Sequence, residues 1–215
     1  MYIPNHFKQE NVEEMHSCII NNPLGILITN TKNGLIANHI PFLIDAKENK
    51  LGTLRAHISI KNELHQAIEN DDDVLVIFSS GNAYISPNWY PTKWVNHKQV
   101  PTWNYIVVHA RGKIKFLRNE KEIRGIVGRL TKQLEADKPN PWKMSDAPRD
   151  YLDDLLKRIV GIEIEITELI GKNKLGQDEV INDIEGAANA LLSQNNSTIG
   201  NAMLSLIDEN KDNQL

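Results

Sequence analysis

NAYISPNWYPTKWVNHKQVPTWNYIVVHARG, residues 82–112, holds three of the chain's four tryptophans (Trp89, Trp94, Trp103) together with Tyr84, Tyr90 and Tyr105. Aromatics make up only 6% of the chain, so this clustering is a local property and not background. Large flat apolar faces with a polar tip suit a wall against a planar ring system, a subunit interface, or the core side of a sheet. The stretch also runs into strand. VPTWNYIVVHARGKIKFL (100–117) is the longest β-like segment, and Lys113, Ile114, Lys115 and Phe116 alternate with period 2. Gly112 is where so long a strand is expected to bulge or bend.

Working outward, VLVIFSS (74–80) reads as a fully apolar strand, with NAYIS (82–86) following it across a Ser-Gly turn. Further back, LGILITN (24–30), LIANHIPFLI (35–44) and LGTLRAHIS (51–59) form a meander. Thr31-Lys-Asn-Gly is its first hairpin turn, and the connections are too short for parallel crossovers. Asn11-Val-Glu-Glu is a capping box that opens a helix to about Asn22, stopped by Pro23 and Gly25. Leu64, Ala67 and Ile68 predict a short helix over 61–70. Toward the C-terminus, Ile123, Ile126, Val127, Leu130 and Leu134 share one helical face. A second amphipathic helix is expected over 150–159. GIEIEITEL (161–169) alternates strictly, with Ile162, Ile164 and Ile166 inward. Helices are expected over 180–192 and 199–207, and DENKDNQL (208–215) as a frayed end. Six or seven antiparallel strands with helices outside predict an α+β fold on a closed or split antiparallel β-barrel with peripheral helices. Residues 1–180 are expected to form the barrel domain and 181–215 a helical extension.

Composition narrows the function classes. The 215 residues are 40% hydrophobic and 24% charged, typical of a soluble globular chain. Twenty-four Lys and Arg stand against 28 Asp and Glu, a net charge of −4, so no global basic field invites nucleic acid. Cys18 is the only cysteine and can form no internal disulfide. MYIPNHF carries no basic segment followed by an apolar run, and no apolar run approaches the roughly 20 residues of a membrane span. A cytoplasmic protein is the expectation.

The chemistry-bearing candidates are few. HISIKNELHQAI (57–68) leads from a strand to a helix, where Ser59, Lys61 and the free N–H groups of a first helical turn can seat a phosphate. The same residues also read as a capped surface helix with a solvated lysine. None of the seven histidines forms the i, i+4 pair of a helical zinc site, so no metal is expected. His57 and His109 lie within strands, where a hydrogen-bonded core histidine is the simpler reading. Nucleophile elbow, Walker A and dinucleotide-binding glycine motifs are absent. Lys172-Asn-Lys174-Leu-Gly-Gln177 reads as a turn, with an anion-facing loop as the alternative. Arg111, Lys113, Lys115, Arg118, Lys121 and Arg124 form the densest basic group, and a solvated face fits them better than a DNA stripe.

Taken together, MYIPNHF, NHIPF (38–42), GTLRAHISIKN (52–62), AYISPNWY (83–90), VPTWNYIVVHARG (100–112), PWKMSDAP (141–148) and IVGIEIEITELIGKNKLGQD (159–178) resemble the PaiB-like family. These are FMN-binding proteins labelled negative transcriptional regulators. The resemblance covers about residues 1–180 and implies a homodimeric split barrel of the pyridoxamine-phosphate-oxidase type, with FMN at the dimer interface. It implies cofactor contacts among His39, Arg55, His57, Ser59, Lys61, Asn62, Tyr84, Ser86, Trp89, Thr102, Trp103, Asn104, Lys172 and Gln177. The chain departs from the pattern at Ile60, where an arginine would help hold the phosphate, and at Glu63, Gly176 and Asp178. DNA binding follows from the family label alone, and no DNA-reading helix stands out. Two other readings remain: a flavin-dependent oxidoreductase of small substrates, and a haem-binding split barrel with His57 or His109 as axial ligand.

Overall fold

The computed structural model describes residues 1–212. In chain order the elements are β1 (Lys8–Gln9), α1 (Val12–Asn21), β2 (Leu24–Thr31), β3 (Gly34–Pro41), β4 (Leu43–Asp45), β5 (Thr53–Ser59) and α2 (Leu64–Ala67). There follow β6 (Asp73–Ile85), α3 (Lys93–Asn96), β7 (Thr102–Leu117), α4 (Glu120–Glu135), α5 (Arg149–Leu156), β8 (Ile159–Lys174), α6 (Ile181–Ser193) and α7 (Ser197–Asp212). The strands form an eight-stranded sheet in the order β3-β2-β6-β7-β8-β5-β4, with β1 pairing β8. Each defined register is antiparallel.

Several expectations are corrected in detail. NAYIS is no separate strand, because β6 runs unbroken from Asp73 to Ile85. Gly81 carries it through at φ +148°, a conformation side-chain-bearing residues rarely adopt. The apolar run 35–44 is split at Phe42, which is fully buried between β3 and β4. The helix expected over 61–70 shrinks to the four residues of α2. The capping box closes on one side only: Asn11 Oδ1 accepts from the Glu14 N–H at 3.2 Å, while the Glu14 carboxylate is taken by Gln9. β8 runs on to Lys174, so Lys172–Lys174 belongs to a strand and not to a turn. Gly112 marks a close approach: a Cβ there would lie 2.2 Å from the Glu165 carbonyl oxygen. The frayed end expected over 208–215 is helix as far as Asp212, and 213–215 lie outside the described residues.

Contacts divide the chain into two compact units. One joins residues 15–78 and 109–169; the other joins 1–14, 79–108 and the chain from Ile170 onward. In the first unit, period-2 alternation buries Leu54, Ala56 and Ile58 on β5, Val74, Val76 and Phe78 on β6, and Ile162 and Ile164 on β8. Phe42 meets Phe78 edge to face. α4 adds Ile123, Ile126 and Leu130, whereas Leu134 at its far end is exposed. In the second unit, α6 and α7 share one buried cluster with Ala83, Ile85, Tyr90 and Leu175, to which they bring Ile184, Ala188, Leu191, Ile199 and Met203.

Candidate functional site

The fourteen residues singled out above fall into both units, six in the first and eight in the second. In the first, Arg55, His57 and Ser59 share one face of β5, opposite Leu54, Ala56 and Ile58. Cross-strand register sets Arg55 against Glu163, and its guanidinium donates to Glu163 at 2.7 Å and to Glu48 at 2.8 Å. Asp45 stands 3.6 Å away. Glu48 foremost, and then Glu163, hold the Arg55 pKa above its ordinary value. Arg55 is a cross-strand clamp, committed to carboxylates and not offered to a phosphate.

His57 is partly buried, and desolvation pulls its imidazole below the usual histidine range. Its Nδ1 is buried without a hydrogen-bond partner. With Ser59 it borders an apolar cavity of about 540 Å³, walled by Val127, Trp142, Met144 and Leu155. Ser59 Oγ accepts from the Lys61 N–H at 3.2 Å, a local turn that leaves the Lys61 side chain in solvent. Asn62 donates to Asn38 Oδ1 at 2.9 Å and accepts from the Leu64 N–H at 3.0 Å. It therefore ties the end of β5 to β3, where the neighbouring His39 is exposed. α2 is too short to offer the helix N-terminus expected behind Lys61.

In the second unit, Tyr84 and Trp103 meet edge to face at 6.0 Å and remain 46% and 55% exposed. Behind them, Lys174 Nζ donates to Thr102 Oγ1 at 2.8 Å and to the Trp103 carbonyl at 3.0 Å. Lys172, two residues earlier on β8 and 6% exposed, donates to the Tyr2 carbonyl at 3.3 Å. Its ammonium lies 5.0 Å from the Tyr105 ring centroid and 5.8 Å from that of Phe7. Lys174 lies 5.5 Å from the same Phe7 ring. Burial lowers the Lys174 pKa.

Four more of the expected contacts make bonds or packing within the fold. Asn104 is wholly buried, with its amide nitrogen 3.4 Å from Met203 Sδ and its oxygen unpartnered. Gln177 spends both ends on its own turn, accepting from the Leu175 N–H and donating to the Asn173 carbonyl. Ser86 accepts from the Asn88 N–H and caps the turn at Pro87–Trp89. Trp89 packs on the buried cluster, its carbonyl seated over Gly186 of α6.

Sequence reading left Lys174 out of the cofactor contacts and missed Phe7 and Asp183. Lys174 is recoverable, since period 2 puts it on the face of Lys172. Asp183 is wholly buried and accepts from the Thr92 N–H at 3.0 Å, from the Thr92 hydroxyl and from Gln99 Nε2 at 3.2 Å. It fastens the aromatic loop 87–101 to α6, and no local pattern marks it. Among the described residues no group of three His, Cys, Asp or Glu side chains is placed to hold a metal ion, and no helix is long and apolar enough to cross a membrane.

Comparison with known proteins places this geometry. Residues 1–168 match the family described as "Putative FMN-binding domain". The chain belongs to this family. A relative from Bacillus subtilis, "Protease synthase and sporulation protein PAI 2", is 31% identical over 91% of both chains. An uncharacterized protein of Aspergillus fumigatus is 32% identical over 86% of this chain and 88% of its own. Among solved structures, the FAD and heme binding protein from Mycobacterium smegmatis superposes with a TM-score of 0.60 at 14% identity, over 82% of this chain and 78% of that one. The chain thus shares its antiparallel split-barrel fold with that neighbour, and it is PaiB-like.

Proposed function

We propose that this chain binds FMN as a cytoplasmic homodimer and acts as a PaiB-like regulator. One observation carries the reading: Tyr84 and Trp103 leave two large aromatic faces open beside an ammonium group fixed to the Trp103 backbone. Flat apolar surface next to a cation is the donor set that a flavin requires, a planar ring system with an anionic tail. The residues fit the group. Tyr84, Trp103, Thr102 and Lys172 would hold it in one unit; His39, His57, Ser59, Lys61 and Asn62 are the accessible or half-buried candidates in the other. When bound, a flavin supplies one- and two-electron transfer chemistry.

A second reading, a flavin-dependent oxidoreductase of small substrates, is favoured by the apolar cavity beside His57 and Ser59, which is large enough for a small molecule. Titration with FMN, FAD and riboflavin, followed by visible absorption and flavin fluorescence, tests the first reading. FMN is expected to bind tightest, because no adenylate-binding segment exists and a terminal phosphate adds a charge-assisted contact. Equal affinity for FMN and riboflavin overturns the FMN assignment. NAD(P)H oxidation by the loaded protein decides between regulator and enzyme.

A further inference from the structure

We propose that Lys172 and Lys174 form a seat for a phosphate-type dianion, walled by Phe7 and Tyr105 and reached from the Lys174 side. Strand periodicity puts both ammonium groups on one face of β8, and both lie within 6 Å of the Phe7 ring centroid. Lys172 is buried, yet among the described residues its hydrogen-bond acceptor is a single carbonyl at 3.3 Å, with the Tyr105 and Phe7 rings beside its ammonium. An ammonium has three donors, so most of this one's capacity is unspent. Among the described residues neither lysine has a carboxylate in ion-pair range, although a buried charge ordinarily requires one. Asp178 and Glu179 act on Lys174 only at a distance, and Gln99 engages the Glu179 carboxylate.

The Lys172 charge also disfavours the charged form of Lys174, which a bound anion would reverse. The N-terminal segment completes the seat: Lys8 and Gln9 pair with Lys172 and Gly171, which places Phe7 over both amines and the Tyr2 carbonyl on Lys172. A dianion matches two ammonium groups in charge, and aromatic walls exclude the water that would screen them. The inference deepens the flavin reading and rests on it only for the source of the anion, which is either the phosphate of FMN or a separate anionic ligand.

The test is calorimetric titration of the intact protein with inorganic phosphate at constant ionic strength, for wild type, K174M, K172R and K172M. K138M serves as a charge-matched surface control, and far-UV circular dichroism confirms that each variant is folded. Phosphate is expected to bind wild type and K138M alike, at least tenfold more weakly to K174M, and with partial retention in K172R. Unchanged phosphate affinity in a folded K174M overturns the proposal, as does the absence of phosphate binding to wild type. Flavin titration identifies the source. If FMN supplies the anion, K174M loses FMN affinity and keeps riboflavin affinity, and FMN displaces phosphate. If the ligand is separate, phosphate still binds the flavin-saturated protein; either result upholds the seat. Phosphate binding by a wild type that takes up no flavin leaves the seat standing and refutes the flavin reading. Flavin binding with unaltered phosphate heats in K174M does the reverse.

Discussion

His57 shows how one side chain links burial to pH. Its imidazole is partly buried and Nδ1 has no partner, so nothing offsets the cost of charging it. The unfolded histidine titrates near pH 6.5 and the folded one lower. Between those values the unfolded chain binds more protons, so stability is full above the window and falls as pH falls through it. His109, lowered chiefly by its own burial, adds in the same direction. The expected outcome is a lower melting temperature at pH 5 than at pH 7, with a smaller drop in His57→Leu, measured by thermal denaturation across buffers of equal ionic strength. An identical pH profile in that variant would show that other groups govern the acid limb. The same side chain marks a limit of sequence reading. HISIKN announced a polar cluster after a strand, but that Arg55 would be consumed by Glu163 and Glu48 depends on a cross-strand register that no local pattern encodes.

Strands β7 and β8 carry the prediction at the scale of elements. They approach closely at Gly112, where a Cβ would stand 2.2 Å from the Glu165 carbonyl oxygen and 2.6 Å from Ile164 Cγ2. Backbone cannot swing aside as a flexible side chain would, so Gly112→Ala must part the two strands. A loss of about 2–3 kcal/mol is expected, at the upper end of overpacking costs. Urea denaturation measures it, and a wild-type midpoint would mean that the strands separate at no cost. The long strands were legible because alternation is a local signal: Ile162, Ile164 and Ile166 lie inward as read. The end of β8 was not. Gly-Lys-Asn-Lys-Leu-Gly has the composition of a turn, yet β8 stays extended through Lys174, with Gly171 and Lys172 paired to β1. The failure at 61–70 is the opposite case. Helical spacing was present, but α2 stops after four residues. The Asp183 latch that holds the aromatic loop was illegible in principle, since its partners Thr92 and Gln99 lie far away in sequence.

The aromatic stretch that opened the reading governs the expectations for the whole molecule. Tyr84, Trp94, Val95, Val100 and Trp103 all stay exposed, more apolar surface than a lone chain gains by showing to water. Light scattering at micromolar concentration is therefore expected to report a homodimer, with an interface of more than about 2,000 Å² if it is obligate. A monomer would leave those side chains unexplained. Charge sets the second expectation. The densest basic run, Arg111 to Arg124, is largely spent within the protein: Arg111 lies 3.4 Å from Glu168, Lys113 2.8 Å from Asp73, and Arg124 2.9 Å from Glu120. Arg118 is turned to His65 at 3.4 Å. Phosphate neutralisation drives non-specific DNA binding, and a surface whose cations already face carboxylates on a chain of net charge −4 offers little of it. The protein alone is expected to bind duplex DNA with a Kd no better than about 10⁻⁴–10⁻⁶ M at physiological salt. Regulation by such a protein would run through its ligand or a partner rather than through operator contacts. Anisotropy titration with genomic fragments, including the protein's own promoter, measures this. A saturable nanomolar complex that resists competitor DNA would overturn it, and would make Lys115, Arg118 and Lys121, the three cations of the run with no ion pair among the described residues, the first to replace.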